Sequence, residues 1–364
     1  MKKRLKTAIL TLAILSGALL NVSSLYSQAG GSAVPFLLIS PDARASGMGE
    51  TGVAIADDIN AIHWNPGGLA FLDYFPNVEG NIPYTQVALS FSPWLPQFNA
   101  DLFYSYATVG RYFPELDGTA AFNFIFMNLG EFTRTAEDGR ILGKFISNEF
   151  SLGLAYGTPI TNDLGIGFQL RYIRSNLTPT GPNQREAGAG NSVGFDLGLL
   201  YHPSGYELLG VRNPLSFGFN LQNVGPKITY INESDPLPTN LKIGAAWKLV
   251  QDEFNDLKIA FDFQKLLVKR DSLSADPLPL SLVTAWKNPG VEFSIGAEYW
   301  YENLFAFRAG YFTEPSRLGD RKFWNFGAGV KYDIFKLDFS FINTVESNHP
   351  LANTMRFSML IDLK

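Results

Sequence analysis

Residues 150–157 read FSLGLAYG, and they show the pattern that decides the fold. Large apolar residues occupy every second position, and small or polar residues lie between them. Successive side chains of a β-strand point to opposite sides, so this spacing predicts a strand with one apolar face and one face of small residues. The same alternation recurs at residues 165–172, 192–201, 215–222, 258–264 and 335–341. The chain is therefore predicted to be all-β.

The second face of these strands distinguishes a membrane barrel from a soluble sandwich. It carries mainly Gly, Ala and Ser, with isolated charges at Arg171, Asp196, Asp262, Arg308, Lys331, Asp338 and Arg356. A water-exposed face would carry more Lys, Glu and Thr, whereas small residues with sparse charges suit the crowded interior of a barrel in lipid. A sheet in lipid must also close, because its edge groups would find no hydrogen-bond partner there. The sequence predicts a transmembrane antiparallel β-barrel.

The number of strands follows from the alternating segments and from the lengths of their connections. We predict fourteen strands, at residues 85–92, 99–111, 118–129, 148–158, 163–174, 192–202, 215–223, 240–249, 256–265, 292–301, 304–313, 323–333, 335–343 and 353–363. In bacterial barrels the longer connections lie outside the cell, which assigns residues 130–147, 175–191, 224–239 and 266–291 to outer loops. Residues 280–287 are apolar enough for another strand, but an odd number would break the alternation of loop lengths. We therefore assign them to an outer loop.

Residues 1–28 have the features of a signal peptide. Four basic residues among the first six precede an apolar run, residues 8–20, that is too short to span a bilayer as a helix. We place the cleavage site within residues 27–29. Loss of these four positive charges takes the formal net charge from −5 to −9, so we predict no nucleic-acid partner. The sequence has no cysteine, which excludes disulfides.

Residues 29–84 lie between the leader and the barrel region, residues 85–364, and differ in composition from both. They contain closely spaced glycines, the acidic pair Asp57-Asp58 and the turn-forming Asn65-Pro66. Small residues let backbones approach closely, and the periodicity is too weak for a membrane strand. We predict a plug in the barrel mouth; the alternative is a linker with a short helix. The residues that define this plug motif are Asp42, Arg44, Gly47, Gly49, Asp57, Asp58, Trp64, Asn65 and Pro66.

The adjacent Asp57 and Asp58 allow two interpretations. They could form an acid pair or a cation site. Adjacent aspartates ahead of Ile-Asn-Ala are more typical of a helix N-terminus, where carboxylates accept hydrogen bonds from unpaired backbone N–H groups. We therefore predict capping, with Arg44 as a candidate ion-pair partner for one carboxylate.

The sequence offers little for catalysis or cofactor binding. Its three histidines, His63, His202 and His349, are far apart and lack metal-ligand spacing. The single Gly-x-Ser-x-Gly match, residues 190–194, overlaps the alternating segment 192–201, so no nucleophile elbow at a strand-to-helix turn is visible. The aromatic run Tyr299-Trp300-Tyr301 is typical of the belt at a membrane interface. We predict a protein that is not an enzyme and has no cofactor, metal or catalytic site.

Four short motifs in the plug region carry a family resemblance. They are PDARA at 41–45, GMG at 47–49, ADD at 56–58 and WNP at 64–66. In order and spacing they resemble the N-terminal signature of the PorV family, outer-membrane proteins of the type IX secretion system with a FadL-like barrel. Further similar segments are residues 92–95, 238–241, 264–268, 298–301, 308–312 and 350–354. In that family the Leu-Leu-Val run at 266–268 usually continues into prolines, whereas Lys269-Arg270-Asp271 follows here.

The resemblance implies a non-enzymatic role in protein secretion. Such a protein docks at the SprA-like type IX translocon and accepts secreted cargo by its C-terminal targeting domain. It then delivers the cargo to the surface attachment complex that contains a PorU-like sortase. Outer-membrane lipid would surround the barrel, and the outer loops would contact these partners. The residues that we assign to this partner-facing surface are Leu142, Pro182, Pro236, Leu267 and Lys269.

Two other functional classes stay open. A FadL-like channel for the uptake of hydrophobic compounds predicts an apolar pocket behind the plug. The second class is an outer-membrane lipid-modifying enzyme, such as a deacylase. An open aqueous pore is not expected, because fourteen strands are fewer than the 16–18 strands of porins and a plug would fill the lumen further.

Overall fold

Fourteen antiparallel strands close into a barrel in the computed structural model. The structure describes residues 31–73, 84–98, 101–136, 138–178, 188–230, 233–269, 274–287, 290–346 and 349–363, so the predicted signal peptide and Pro182 lie outside the described residues. The barrel strands are β1 Thr85–Pro93, β2 Phe103–Phe113, β3 Gly118–Thr135, β4 Ile141–Thr161, β5 Leu164–Thr178, β6 Gly188–Tyr201, β7 Leu215–Val224, β8 Asn240–Gln251, β9 Asn255–Leu266, β10 Glu292–Tyr301, β11 Phe305–Thr313, β12 Lys322–Tyr332, β13 Phe335–Thr344 and β14 Met355–Asp362.

Each strand pairs with its neighbours in sequence, and the last strand pairs with the first. The closing contact runs from Gln86↔Asp362 to Phe91↔Phe357. Two short hairpins lie in the connections, one formed by Glu207–Leu208 with Val211–Arg212 and one by Ile228–Tyr230 with Glu233–Asp235. Closure leaves the barrel without a sheet edge in the membrane, as a strand in lipid requires.

The predicted strand number is confirmed, and so is the assignment of residues 280–287 to a connection. That segment is helical, with an α-helix at Leu280–Thr284 and a 3₁₀-helix at Ala285–Lys287. The predicted outer loop at 130–147 is wrong. Strands β3 and β4 continue to pair there, because a β-bulge after Asn128 absorbs the change of register. Leu142 therefore lies in β4 and not in a loop.

The alternation in the sequence gives the barrel wall an apolar outer face and an inner face of small or polar residues. On β4, Leu152 and Leu154 are exposed on the outside, whereas Ser151 and Gly153 are buried on the inside. The outward side chains of the other strands are likewise apolar, which suits contact with acyl chains. Of the helices that the structure describes, none is both long enough and apolar enough to span a bilayer.

Residues 34–72, here called the lumenal segment, lie inside the barrel. The segment contains helix α1 at Ala43–Gly47, helix α2 at Ala61–Trp64 and 3₁₀-helices at Pro35–Leu38 and Pro66–Phe71. Nearly all of its residues are buried. Short 3₁₀-helices also occur at Pro96–Phe98, Pro114–Leu116 and Ser316–Leu318 in the connections. That the lumenal segment closes the barrel to solutes stays a prediction.

Inward-facing glycines let the lumenal segment contact the wall through its backbone. A Cβ on Gly167 of β5 would lie 2.0 Å from the carbonyl oxygen of Pro66, and one on Gly310 of β11 would lie 2.1 Å from the amide nitrogen of Gly49. Such distances are far below van der Waals contact. Comparable contacts occur at Gly157, Gly165, Gly198, Gly218 and Gly296. The small inner face of the strands is therefore the surface on which the lumenal segment packs.

We expect Gly310→Val to displace the lumenal segment, because the new side chain would overlap the backbone of Met48 and Gly49. The free energy of unfolding should fall by about 1–3 kcal/mol, as overpacking usually costs. Trypsin should then cleave after Arg44, which is buried in the native protein. Ala309→Val is the matched control, since Ala309 points to lipid on the same strand. Equal stability and equal trypsin resistance of the two variants would contradict this packing.

Candidate functional site

A cluster of ion pairs joins the lumenal segment to the wall near the periplasmic end of the lumen, the end with the short connections. The Arg44 guanidinium lies between three carboxylates. It donates to Glu298 from Nε at 3.0 Å and from Nη2 at 2.9 Å, and to Asp58 from Nη1 at 3.2 Å. It also pairs with Asp57. The predicted pairing of Arg44 with this acidic pair is confirmed.

The wall extends the cluster with further charges. Arg308 of β11 donates to Glu298 at 2.7 Å and to Asp338 of β13 at 2.7 Å. Lys258 lies 3.0 Å from Asp57, and Lys336 lies 3.7 Å from Asp338. The ion cluster, as we call it, comprises Arg44, Asp57, Asp58, Lys258, Glu298, Arg308, Lys336 and Asp338.

The charges of the ion cluster balance only when segment and wall are together. The segment supplies Arg44 and two aspartates, an excess of one negative charge. The wall supplies three cations and two carboxylates, an excess of one positive charge. Buried charges are costly unless they are paired, so each part stabilises the other.

The capping prediction for Asp57 and Asp58 is wrong. Helix α2 begins after Asn60, and no side chain caps it. Asp58 accepts a hydrogen bond from the Asn60 amide and so supports the preceding turn. Partial removal from water would raise the pKa of Asp57, but Arg44 and Lys258 hold this pKa below its ordinary value. Asp57 therefore stays ionised and is an ion-pair partner.

The remaining plug residues hold the segment in shape. Asp42 caps α1 by accepting from the Ala45 amide at 2.8 Å, and it accepts from Nε1 of Trp64 at 2.6 Å. Asn65 donates to the carbonyl oxygens of Val53 and Leu199, both at 2.9 Å, which ties the segment to β6. Pro66 begins the 3₁₀-helix that follows.

The two glycines of the GMG motif meet the wall on β11 and β12. A Cβ on Gly47 would lie 3.0 Å from the Cα of Gly327. Gly49 has a φ of +70°, and its Cβ would lie 2.6 Å from the amide nitrogen of Tyr311. A larger residue at Gly49 would be strained, because its backbone conformation favours glycine and because its side chain would overlap the wall.

Asp262 is a binding residue that we did not assign to the plug motif. From β9 its carboxylate accepts from the amides of Gly52 and Val53, at 2.7 and 3.0 Å. Its position among the inward charges was visible in the alternation, but its partner was not. Because this carboxylate accepts hydrogen bonds from two backbone N–H groups, it is a further attachment of the segment to the wall.

The histidines are dispersed in the structure. His63 is buried against Trp64, with ring centroids 5.3 Å apart, and burial lowers its pKa so that it stays neutral. His202 packs on Phe71 at 4.8 Å, and His349 lies in the connection before β14. Within the described ranges no group of three or more His, Asp or Glu side chains is arranged to hold a metal ion.

An apolar cavity of about 340 Å³ lies in the lumen between the lumenal segment and the outer connections. Most of its lining is aliphatic or aromatic, with a few charged side chains at its margin. The apolar lining includes Phe36, Ile39, Trp94, Leu95, Met127, Ile342 and Leu351, and the charged lining consists of Glu50, Glu149, Glu292 and Arg321. The sequence did not predict its position, because its walls come from residues that are distant along the chain.

The predicted partner-facing residues have different environments. Leu142 is exposed, and Lys269 is half-buried. Pro236 accepts a hydrogen bond from the Ala33 amide at 2.9 Å. Leu267 is only 4% exposed, so its assignment to a partner-facing surface is wrong. Its amide donates to the carbonyl oxygen of Thr239 at 2.7 Å, which continues the β8–β9 pairing and turns the side chain inward.

Replacing Arg44 with Met should be costly, because Asp58 and Glu298 would keep buried charge without their shared partner. We expect a loss of about 3–5 kcal/mol in the free energy of unfolding, measured by denaturant titration in detergent. Adding Glu298→Gln to Arg44→Met should recover part of this loss. The control is Arg140→Met, which removes an exposed pair with Asp138. If Arg44→Met cost no more than this control, the ion cluster would not hold the segment.

Comparisons with known proteins agree with the fold and identify the family. The family model of type IX secretion system protein PorV matches residues 26–272, more than half of the chain. No curated protein sequence matches.

Solved structures of similar shape are outer-membrane-type barrels. The toluene transporter TodX of Pseudomonas putida has a TM-score of 0.52 and 13% identity, over 93% of this chain and 99% of that chain. The toluene transporter TbuX of Ralstonia pickettii has a TM-score of 0.52 and 14% identity, over 89% of this chain and 97% of that chain. At such identities the likeness concerns the fold alone.

The predicted FadL-like barrel and its location in the outer membrane are confirmed by the closed strand order together with these matches. A match over residues 26–272 shows that the chain belongs to the PorV family, whose members are outer-membrane components of the type IX secretion system.

Proposed function

We propose that this protein is a non-enzymatic carrier in type IX secretion. It accepts secreted cargo, recognised by the cargo's C-terminal targeting domain, at an SprA-like translocon. It then delivers the cargo to the attachment complex that contains a PorU-like sortase. Membership in the PorV family supports this proposal.

The observation that carries the proposal is the filled lumen. The lumenal segment contacts the inner glycines through its backbone, and the ion cluster and Asp262 fasten it to several strands. With the lumenal segment in this position, we expect that no folded protein passes through the barrel. Such a barrel acts through its outer surface, where the connections face the cell exterior.

The three histidines lie apart from one another in the part of the chain that the structure describes. His63 is buried within the lumenal segment, while His202 and His349 lie at opposite ends of the barrel. General acid–base catalysis needs groups within hydrogen-bond reach of each other and of a substrate.

We expect that replacing His63, His202 and His349 together by Gln leaves the outer-membrane lipids unchanged in a mass spectrum. The folded barrel should remain heat-modifiable on electrophoresis, which controls for loss of the protein. A change in lipid acylation that wild-type protein reverses would favour the deacylase alternative over a carrier.

A second candidate function is uptake of hydrophobic compounds. The apolar cavity of about 340 Å³ favours it, since apolar pockets with few polar groups suit small apolar ligands. The neighbours TodX and TbuX are named as toluene transporters, and their likeness to this chain is one of fold. Uptake would require a path past the lumenal segment.

Affinity capture tests the carrier proposal against uptake. The tagged protein is purified from detergent-solubilised outer membranes of a secreting strain, and a tagged unrelated barrel is the control. We expect a very large translocon and secreted proteins to co-purify with the carrier only. Deletion of the gene should abolish surface attachment of secreted proteins. Normal attachment together with loss of growth on a hydrophobic carbon source would overturn the carrier proposal and favour uptake.

A further inference from the structure

Strands β3 and β4 project beyond their neighbours at the outer end of the barrel. Strand β2 pairs with β3 only as far as Asn128, and β5 pairs with β4 only as far as Asn148. Beyond these points β3 and β4 pair with each other alone, from Glu131↔Ile146 to Thr135↔Ile141. We call residues 129–136 and 138–147 the rim hairpin. At the rise of a β-strand it extends about 20 Å above the adjoining strands.

Neither edge of the rim hairpin pairs with a strand in the part of the chain that the structure describes. Among the residues that the structure describes, none forms a strand beside 131–135 or on the outer side of 141–146. Free edges carry rows of N–H and C=O groups in the spacing of a β-strand. They are templates for another extended chain, and proteins usually cover, twist or charge them.

Large apolar side chains of the rim hairpin are exposed on both of its faces. Leu142 and Ile146 are 51% and 60% exposed, and Ile141 is 68% exposed. On the other face Phe132 is 47% exposed and stacks on Phe145, with centroids 5.7 Å apart. Exposed large apolar side chains at this density mark an interaction surface.

An exposed ion pair indicates that this surface faces water and not acyl chains. Lys144 donates to Glu131 at 2.6 Å, and both side chains are more than half exposed. The pairing Glu131↔Ile146 puts this ion pair on the same face as Ile146. Charged side chains are costly in the hydrocarbon, so a lipid surface is a poor occupant for this face.

We propose that the rim hairpin binds an extended segment of the secreted cargo by strand addition. The backbone edge would supply main-chain hydrogen bonds, and the alternating apolar side chains would supply contacts on each face. This is the chemistry by which an extended peptide joins a free sheet edge. The inference rests on the proposed carrier function and adds to it the binding surface and the conformation of the bound segment.

Amide hydrogen exchange tests the inference on the full-length protein. The carrier is purified with bound secreted cargo from native outer membranes and compared with the carrier from a strain that exports no cargo. We expect exchange at alternate residues of one edge, within 131–135 or 141–146, to slow at least about tenfold in the cargo-bound form. The short hairpin at residues 207–212, at the periplasmic end, is the internal control and should not change.

A pair of substitutions gives a second readout. Leu142→Lys together with Ile146→Lys should lower the recovery of cargo at least about tenfold. Ile160→Lys is the matched control, because Ile160 is an exposed apolar residue at the periplasmic end of the same strand. Heat-modifiable migration of all variants shows that each barrel is folded.

The outcomes separate this inference from the carrier function. Cargo that binds without slowing exchange at either edge would overturn strand addition and leave the carrier function in place. If amide exchange at an edge is slow in cargo-free protein and the slowing disappears on dilution, a second copy of this chain covers the edge. If amide exchange at an edge is slow for cargo-free protein in lipid vesicles at every protein concentration, lipid covers the edge. If wild-type protein recovers no cargo, both the carrier function and the inference fail.

Discussion

The close contact between the backbone of the lumenal segment and the glycines of the wall is the constraint on which the rest of the structure depends. A Cβ at Gly167 would lie 2.0 Å from the carbonyl oxygen of Pro66, so the wall has no room for a larger side chain at this position. Lipid requires apolar side chains outside, and the segment requires small ones inside. The period-two alternation in the sequence satisfies both requirements at once.

Electrostatics couples the same two parts. The segment carries one excess negative charge in the ion cluster, and the wall carries one excess positive charge. Polar contacts such as Asp262 with the amides of Gly52 and Val53 occur where the backbone would otherwise lack a partner. If the segment packed on the wall without these ion pairs, buried charges would lack a partner. If the ion pairs formed without close packing, water would reach them and weaken them. Both are needed to keep the segment inside.

The sequence predicted the parts of this structure that follow from local periodicity. Alternation over 150–157 and similar segments is a property of neighbouring residues, so the strand number was accessible. The pairing of Arg44 with Asp57 was accessible because the lumenal segment contains both.

The missed features depend on contacts between distant residues. Neither Glu298 in the cluster nor the burial of Leu267 can be inferred without the register of the strands. Periodicity predicts a loop at the rim hairpin because a β-bulge after Asn128 shifts the alternation by one position, and the continuing strand then no longer follows the pattern.

The position of the lumenal segment bears on how a barrel of this type can act. A route from the outer cavity to the periplasm would have to open the glycine contacts and separate the paired charges around Arg44. Both changes oppose the interactions that hold the fold together. Binding at the outer rim requires neither, since the rim hairpin lies beyond the neighbouring strands and its side chains already face water. The interactions that hold the lumenal segment in place therefore oppose its displacement, and binding at the outer rim leaves them intact.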